Sequence, residues 1–222
     1  MSDYDLYCGD CLEVLPKLDM QVDMILTDPP YGIDVTPRRK TSKFYGKKVK
    51  NDDNLDWLPL WVDYIDKISK NIVVVFVSWV TFSQFEKAFK EKGFTLKNLL
   101  VWNKKWIGVG HNYRPTYELI MLLCKTNFKT PSNNKSNILE YRKIAPQKTL
   151  HNCEKPIPLL EDLLVELSKE GDVVLDCFMG SGSTGVACMQ TNRNFIGIEL
   201  DKEYYKIAEQ RIKEANQQTR LM

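Results

Sequence analysis

Apolar residues fall into two alternating rhythms along this chain. Short runs of apolar, aromatic and β-branched residues recur at 4–8, 22–27, 72–79, 95–102, 117–124, 173–177 and 195–199, and read as strands. Between them, apolar positions three and four apart predict helices near 10–18, 57–70, 81–92, 157–169, 183–191 and 202–216. The clearest is the fourth, where Leu159, Leu160, Leu163, Leu164 and Leu167 mark one face and Gly171 is placed to follow its end. Ile72 to Val77 is apolar at every position, as a strand covered on both sides must be. Strands alternating with helices predict a parallel sheet sandwiched by helices. The runs 95–102 and 117–124 are joined by Lys104–Pro115, and so predict an antiparallel hairpin at one edge. Residues 32–54 and 125–150 show neither rhythm, and loops this long in a compact domain are usually functional or disordered.

A length of 222 residues fits one domain, residues 1–222, and 43% hydrophobic with 27% charged residues is ordinary for a globular chain. The longest apolar run, Ile72 to Val80 with Ser78 inside it, is too short to span a bilayer. Met1 to Asp5 carries no basic-then-apolar leader pattern, which points to the cytoplasm.

Charge changes the picture only once it is located. Arg38, Arg39, Lys40, Lys43, Lys47, Lys48 and Lys50 lie between Asp34 and Asp52 with no acid among them, a local +7. Lys125, Lys129, Lys135, Arg142, Lys143 and Lys148 face Glu140 alone, a local +5. Since the whole chain nets +2, the remainder carries −10. Two basic segments on an acidic body suit a polyanion, although charge runs are often only solvated loops.

Six cysteines without a leader read as reduced thiols. Cys8 and Cys11 form a C-x-x-C, but a zinc site wants a second close pair, and the chain offers only His151 and Cys153.

Two turns carry the chemistry. Val173–Cys177 is a strand followed by Phe178-Met179-Gly180-Ser181-Gly182-Ser183-Thr184-Gly185, so Gly180, Gly182 and Gly185 fit G-x-G-x-x-G between a strand and a helix. The strand Asn194–Ile198 then ends in Glu199, an acid placed for ribose hydroxyls. No lysine follows the glycines, which argues against a phosphate-gripping loop, and a nicotinamide enzyme would not place its fingerprint so near the end of the chain. The second turn is Asp28-Pro29-Pro30-Tyr31-Gly32, at the end of the strand Val22–Thr27, where open α/β sheets bind ligands. The two prolines supply carbonyls and no N–H, so the corner offers acceptors to a donor such as an exocyclic amine. Tyr31 adds a flat face suited to a base.

Through these motifs the sequence resembles the amino-methylating DNA methyltransferases, which use S-adenosylmethionine on adenine or cytosine amines. The resemblance spans Leu6–Cys11, Val22–Gly32, His151–Pro156, Asp176–Thr184 and Gly197–Asp201. With the catalytic motif first and the cofactor motif last, it is similar to the permuted beta class. It implies an α/β Rossmann-like methyltransferase fold: a mostly parallel, doubly wound sheet with an antiparallel edge strand and circularly permuted motif order. It also implies roles. Asp28, Pro29, Pro30 and Tyr31 would be catalytic. Asp176, Phe178, Gly180, Gly182 and Thr184 would line the cofactor's methionine and sulfonium region, with Ser181, Ser183, Cys11, Leu200 and Asp28 beside them. Glu199 would hold the ribose, Asp10 the cofactor's adenine amine, and Lys155 the methionine end. The seven cations of 32–54 would bind DNA, because the recognition segment, 125–150, is short for the family. Double-stranded DNA is the implied partner, with a second copy of the chain and a cognate restriction nuclease as further candidates, and no membrane.

The family's chemistry needs no metal and no covalent intermediate. Asp28 and the Pro29 carbonyl would accept the target amine's hydrogens, and the base would be flipped out of the duplex to reach them. In this family Asp, rather than Ser, at position 28 favours adenine over cytosine, while Asn there would suit protein amides.

Overall fold

The computed structural model describes residues 3–33, 52–108, 112–132, 134–145, 149 and 154–220. The strands are β1 (Tyr4–Cys8), β2 (Val22–Thr27), β3 (Ser69–Val77), β4 (Thr95–Asn103), β5 (Tyr117–Cys124), β6 (Ile138–Glu140), β7 (Val173–Asp176) and β8 (Asn194–Glu199). The helices are α1 (Cys11–Val14), α2 (Leu58–Ile68), α3 (Phe82–Glu91), α4 (Ile157–Leu167), α5 (Ser183–Gln190) and α6 (Lys202–Arg220). Among the described residues the strands form one sheet in the order β1-β8-β7-β2-β3-β5-β4-β6.

Every pairing is parallel except those of β5, which runs against both β3 and β4. The reversed strand is therefore interior, and the expectation of an antiparallel edge strand is corrected: β4 and then β6 lie outside it. A residue pattern could not show this, because β6 is three residues long and buries only Leu139. Other boundaries move as well, two of them for visible reasons. β3 starts at Ser69 rather than 72, its polar first residues being held by neighbours: Lys70 pairs with Asp23 at 2.6 Å, and Asn71 Oδ1 accepts from Lys125 N at 3.0 Å and Thr126 N at 2.8 Å. The first helix is only α1, followed by a 3₁₀ turn at Leu15–Lys17 that contains Pro16.

Strand periodicity divides the core between two faces. Met24 and Leu26 of β2, with Val74 and Phe76 of β3, point to the side covered by α4, α5 and α6. Ile25, Val73, Val75 and Val77 point to the side of α1, α2 and α3, where Trp61, Phe85 and Phe89 are fully buried. The helix following β2 and the helix following β7 thus pack on opposite faces, and β2 and β7 are neighbours (Ile25 opposite Leu175). A crevice must open at their carboxyl ends, the place where such sheets put ligands. No helix among the described residues is long and apolar enough to cross a membrane.

Candidate active site

The crevice is a cavity of about 760 Å³, within the ~300–1,000 Å³ usual for small-molecule sites. Its walls come from the carboxyl ends of β1, β8, β7, β2 and β3 and, because β5 is reversed, from the amino end of β5. Asp10, Cys11, Asp28, Pro29, Pro30, Tyr31, Lys155, Asp176, Phe178, Gly180, Ser181, Ser183, Thr184, Glu199 and Leu200 all line it. The sequence-predicted residues therefore meet, with one exception. Gly182 faces away: a Cβ there would sit 2.8 Å from Ala208 Cβ and 2.9 Å from Ala208 Cα on α6. A side chain there would collide with α6, and with the positive φ (80°) this makes glycine the residue that lets α5 and α6 pack closely. Gly180, also at positive φ (52°), is the glycine of the turn that borders the cavity.

Around the glycine turn, carboxylates are held by neutral donors. Asp176 Oδ1 accepts from Thr27 Oγ1 (2.7 Å) and Phe178 N (3.1 Å), and Oδ2 from Thr184 Oγ1 (2.7 Å). Asp176 thereby ties the ends of β2 and β7 to the start of α5. Burial raises its carboxyl to about 6 against those hydrogen bonds. Glu199 Oε2 accepts from Gly180 N (2.9 Å) and Oε1 from Asp201 N (2.7 Å). A carboxylate offers about four lone-pair directions, so Glu199 keeps capacity for a diol. Burial raises Glu199 as well, opposed by those two backbone donors. Asp10 caps α1 through Oδ1, which accepts from Leu12 N at 2.9 Å. Arg211 of α6 braces this side, donating to Ser181 O (2.6 Å) and pairing with Glu154 (2.9 Å).

The Asp-Pro-Pro-Tyr corner is built differently. Tyr31 Oη donates to Asp28 Oδ1 at 2.6 Å, and Lys155 Nζ donates to Asp28 Oδ2. Lys155 therefore belongs to the Asp-Pro-Pro-Tyr corner as well as to the wall of the cavity. Its Nζ also lies 3.3 Å from Glu118 Oε2 and 4.7 Å from the centre of the Phe76 ring. Lys104 Nζ is 3.2 Å from Glu118 Oε1, so opposite charges alternate from Asp28 through Lys155 and Glu118 to Lys104. Burial pushes Asp28 above the ordinary carboxylate range against the pull of Lys155, and Glu118 adds to the push. Burial also opposes charge on Glu118, but Lys155 and Lys104 together outweigh it and hold its carboxyl low.

Sequence reading missed three contributors. Glu118 is one. Asp52 is another: its Oδ1 accepts from Tyr31 N (2.7 Å) and Gly32 N (2.9 Å), fixing the corner's exit. Trp57 is the third, packed 5.6 Å from the Phe178 ring on the cavity wall. None has a local motif, since each reaches the site through the fold.

Arg38, Arg39, Lys40, Lys43, Lys47, Lys48 and Lys50 lie outside the described residues, as do His151 and Cys153. Of the second basic segment, Lys125 pairs with Asp66 (2.9 Å) and Lys135 with Asp162 and Glu166, so acids of the body compensate these two cations. Cys8 is exposed and Cys11 buried, and burial with the nearby Asp10 pushes the Cys11 thiol up to about 12, the opposite of a reactive thiol. Among the described residues no group of three or more His, Cys, Asp or Glu is placed to hold a metal ion.

Comparison with known proteins agrees with this geometry. Residues 22–210 match the family described as DNA methylase, of the N6 and N4 type. The type II methyltransferase M.HpaI of Haemophilus parainfluenzae is 27% identical over 250 residues, covering 95% of this chain and 74% of that protein. The crystal structure of the M1.HpyAVI–SAM complex superposes with a TM-score of 0.71 at 28% identity, covering 94% of this chain and 99% of the other. The cytosine-N4-specific PvuII DNA methyltransferase shares the fold (TM-score 0.73, 18% identity), with 99% and 93% of the two chains covered.

Proposed function

This chain belongs to the N6/N4 family of DNA methylases, and we propose that it transfers a methyl group from S-adenosylmethionine to the exocyclic amine of an adenine flipped out of duplex DNA. The observation that carries the reading is the Asp28 carboxylate at the end of β2, opening on the same cavity as Glu199 and the Gly180 turn. The residues present fit the cofactor. Glu199 has acceptor capacity for ribose hydroxyls, Asp10 has its second oxygen for an adenine amine, and Gly180 puts no side chain in the way. When bound, S-adenosylmethionine supplies a methyl group activated on a sulfonium.

The rest is done by this chain. An aromatic amine is a poor nucleophile because its lone pair is delocalised into the ring. Asp28 and the Pro29 carbonyl accept its two hydrogens, localise that pair, and stabilise the positive charge that develops on nitrogen. Tyr31 and Lys155 hold the carboxylate in place until the amine arrives. Holding both reactants in line is itself worth up to ~7–11 kcal/mol in ideal cases. Flipping the base costs a few kcal/mol, offset by stacking on Tyr31 and by the cations of 32–54 on the phosphates. We take residues 1–222 as one methyltransferase unit, supported by the pairing of β1 with β8 across the length of the chain.

The test is transfer of labelled methyl groups to duplex DNA, followed by mass spectrometry of the nucleosides. N6-methyladenine is the expected product. N4-methylcytosine instead would overturn the choice of base, and transfer to RNA or protein alone would overturn DNA as substrate. Single-molecule sequencing of DNA from expressing cells then gives the recognised motif.

A further inference from the structure

Both oxygens of Asp28 are engaged, Oδ1 by the Tyr31 hydroxyl and Oδ2 by the Lys155 ammonium. A target amine must compete with these partners, and the ammonium is the stronger of the two. The surroundings hold a second place for that ammonium. Glu118 Oε2 is buried and has no hydrogen-bond partner among the described residues, yet it points at Lys155 Nζ from 3.3 Å. A buried acceptor without a hydrogen bond is costly, and a shift of Lys155 toward Glu118 would remove that cost. The Phe76 ring, 4.7 Å from Nζ, supports the cation as it moves. Lys104, 3.2 Å from the other Glu118 oxygen, holds that carboxylate in place. Only a strand running against its neighbours brings its second residue to this end of the sheet, so the reversal of β5 is what supplies Glu118.

Resting on the methyltransferase reading above, we propose that Glu118 is a positioning residue. It offers Lys155 a second carboxylate, so that the ammonium releases Asp28 Oδ2 when the target amine arrives. Asp28 faces Tyr31 from its own corner, Lys155 from the segment before α4, Glu118 from β5 with Lys104 of the β4 end behind it, and Asp176 from the end of β7. Lys143 also acts on Glu118. Among these, Glu118 and Lys104 can be changed without touching either the acceptor or its direct partners.

The experiment measures single-turnover methyl transfer into duplex DNA as a function of pH, with saturating cofactor. In Glu118→Gln, Lys155 stays on Asp28, and the plateau rate falls about tenfold, the scale of one charge-assisted hydrogen bond. Cofactor and DNA affinities hold. The acid limb, where Asp28 ionises, moves to lower pH by on the order of one unit, because a like charge has left and the cation has stayed. Lys104→Gln moves the limb the other way, to higher pH, since Lys155 still holds Glu118 charged and that charge, no longer balanced by Lys104, repels Asp28 more and draws Lys155 harder. Glu118→Asp returns the limb toward the wild-type position. A structural role alone would lower rates without these opposed shifts. An unmoved or raised limb in Glu118→Gln overturns the proposal. Should that variant not fold, an unmoved or lowered limb in Lys104→Gln overturns it equally. A wild-type chain that transfers no methyl group to DNA overturns the methyltransferase reading itself, whereas an active wild type with unshifted variants overturns the role of Glu118 alone.

Discussion

The two halves of the cavity hold their carboxylates by opposite means. On the glycine-turn side, Asp176 and Glu199 are bound by hydroxyls and backbone N–H groups at 2.7–3.1 Å, all neutral donors. On the Asp-Pro-Pro-Tyr side, Asp28 and Glu118 are bound by the ammonium groups of Lys155 and Lys104. Neutral donors fix position and leave the charge to burial, which raises both Asp176 and Glu199. Ion pairs leave position adjustable, since a lysine can serve either of two acids; they hold Glu118 low, while burial still raises Asp28. The first construction suits a cofactor that must be held in one pose. The second suits a substrate whose hydrogens must displace a resident partner.

Asp28→Ala should break the contrast most severely. Removing the acceptor costs transfer on the order of 10²–10³-fold, while cofactor affinity by calorimetry stays near wild type. Near-normal turnover would mean that Asp28 is not the acceptor. Asp176→Asn tests the other side through stability. The Asp176 carboxyl stands at about 6 when folded against an ordinary 3.8. The folded state therefore keeps this proton longer than the unfolded chain, and stability contributed here is present below about pH 4 and lost as pH rises through about 6. Two pKa units correspond to about 3 kcal/mol. Asn can keep three hydrogen bonds, its oxygen accepting from Thr27 Oγ1 and Phe178 N and its amide donating to the Thr184 hydroxyl, and it does not titrate. The variant should therefore gain up to that amount on the wild type between pH 4 and pH 7 in urea unfolding. An unchanged gap between the two proteins would show that Asp176 ionises freely.

The same contrast explains what the sequence disclosed. The glycine-turn side is mostly local. Asp176 bonds Phe178 and Thr184, two and eight residues away, so a motif read along the chain contains two of its three hydrogen bonds, and only Thr27 reaches it from afar, across 149 residues. The long periodic elements were legible for a similar reason, since period 2 in β2 and β3 and the leucine face of α4 are properties of neighbouring residues. The catalytic corner is only half local: Asp28 and Tyr31 are three apart, but Lys155 reaches Asp28 across 127 residues. Glu118 and Asp52 carry no local signature at all. β6 was invisible because one buried leucine in three residues makes no pattern.

A smaller effect sharpens the cofactor half. Glu199→Gln keeps the shape but exchanges one acceptor oxygen for a donor, placing an N–H against either Gly180 N or Asp201 N. Cofactor affinity should fall about tenfold, the scale of one hydrogen bond to a charged group, with kcat at saturating cofactor little changed. A fall in kcat with unchanged affinity would move Glu199 from the cofactor to the chemistry.

The smallest effect concerns the basic segment of 32–54 against that of 125–150. The second meets acids of the body at Lys125 and Lys135, so those cations are poor candidates for phosphates. The first has seven cations and no acid between Asp34 and Asp52, which leaves phosphates as natural partners. Each phosphate neutralised by a cation contributes about −0.9 to the slope of log affinity against log salt. Replacing Lys43, Lys47, Lys48 and Lys50 together by Gln should flatten the slope by roughly 0.9 for each phosphate no longer neutralised, at one fixed DNA sequence. Replacing Lys125 and Lys135 should leave it where it was. A slope unmoved by the first set and flattened by the second would reverse the assignment and make 125–150 the DNA-facing segment.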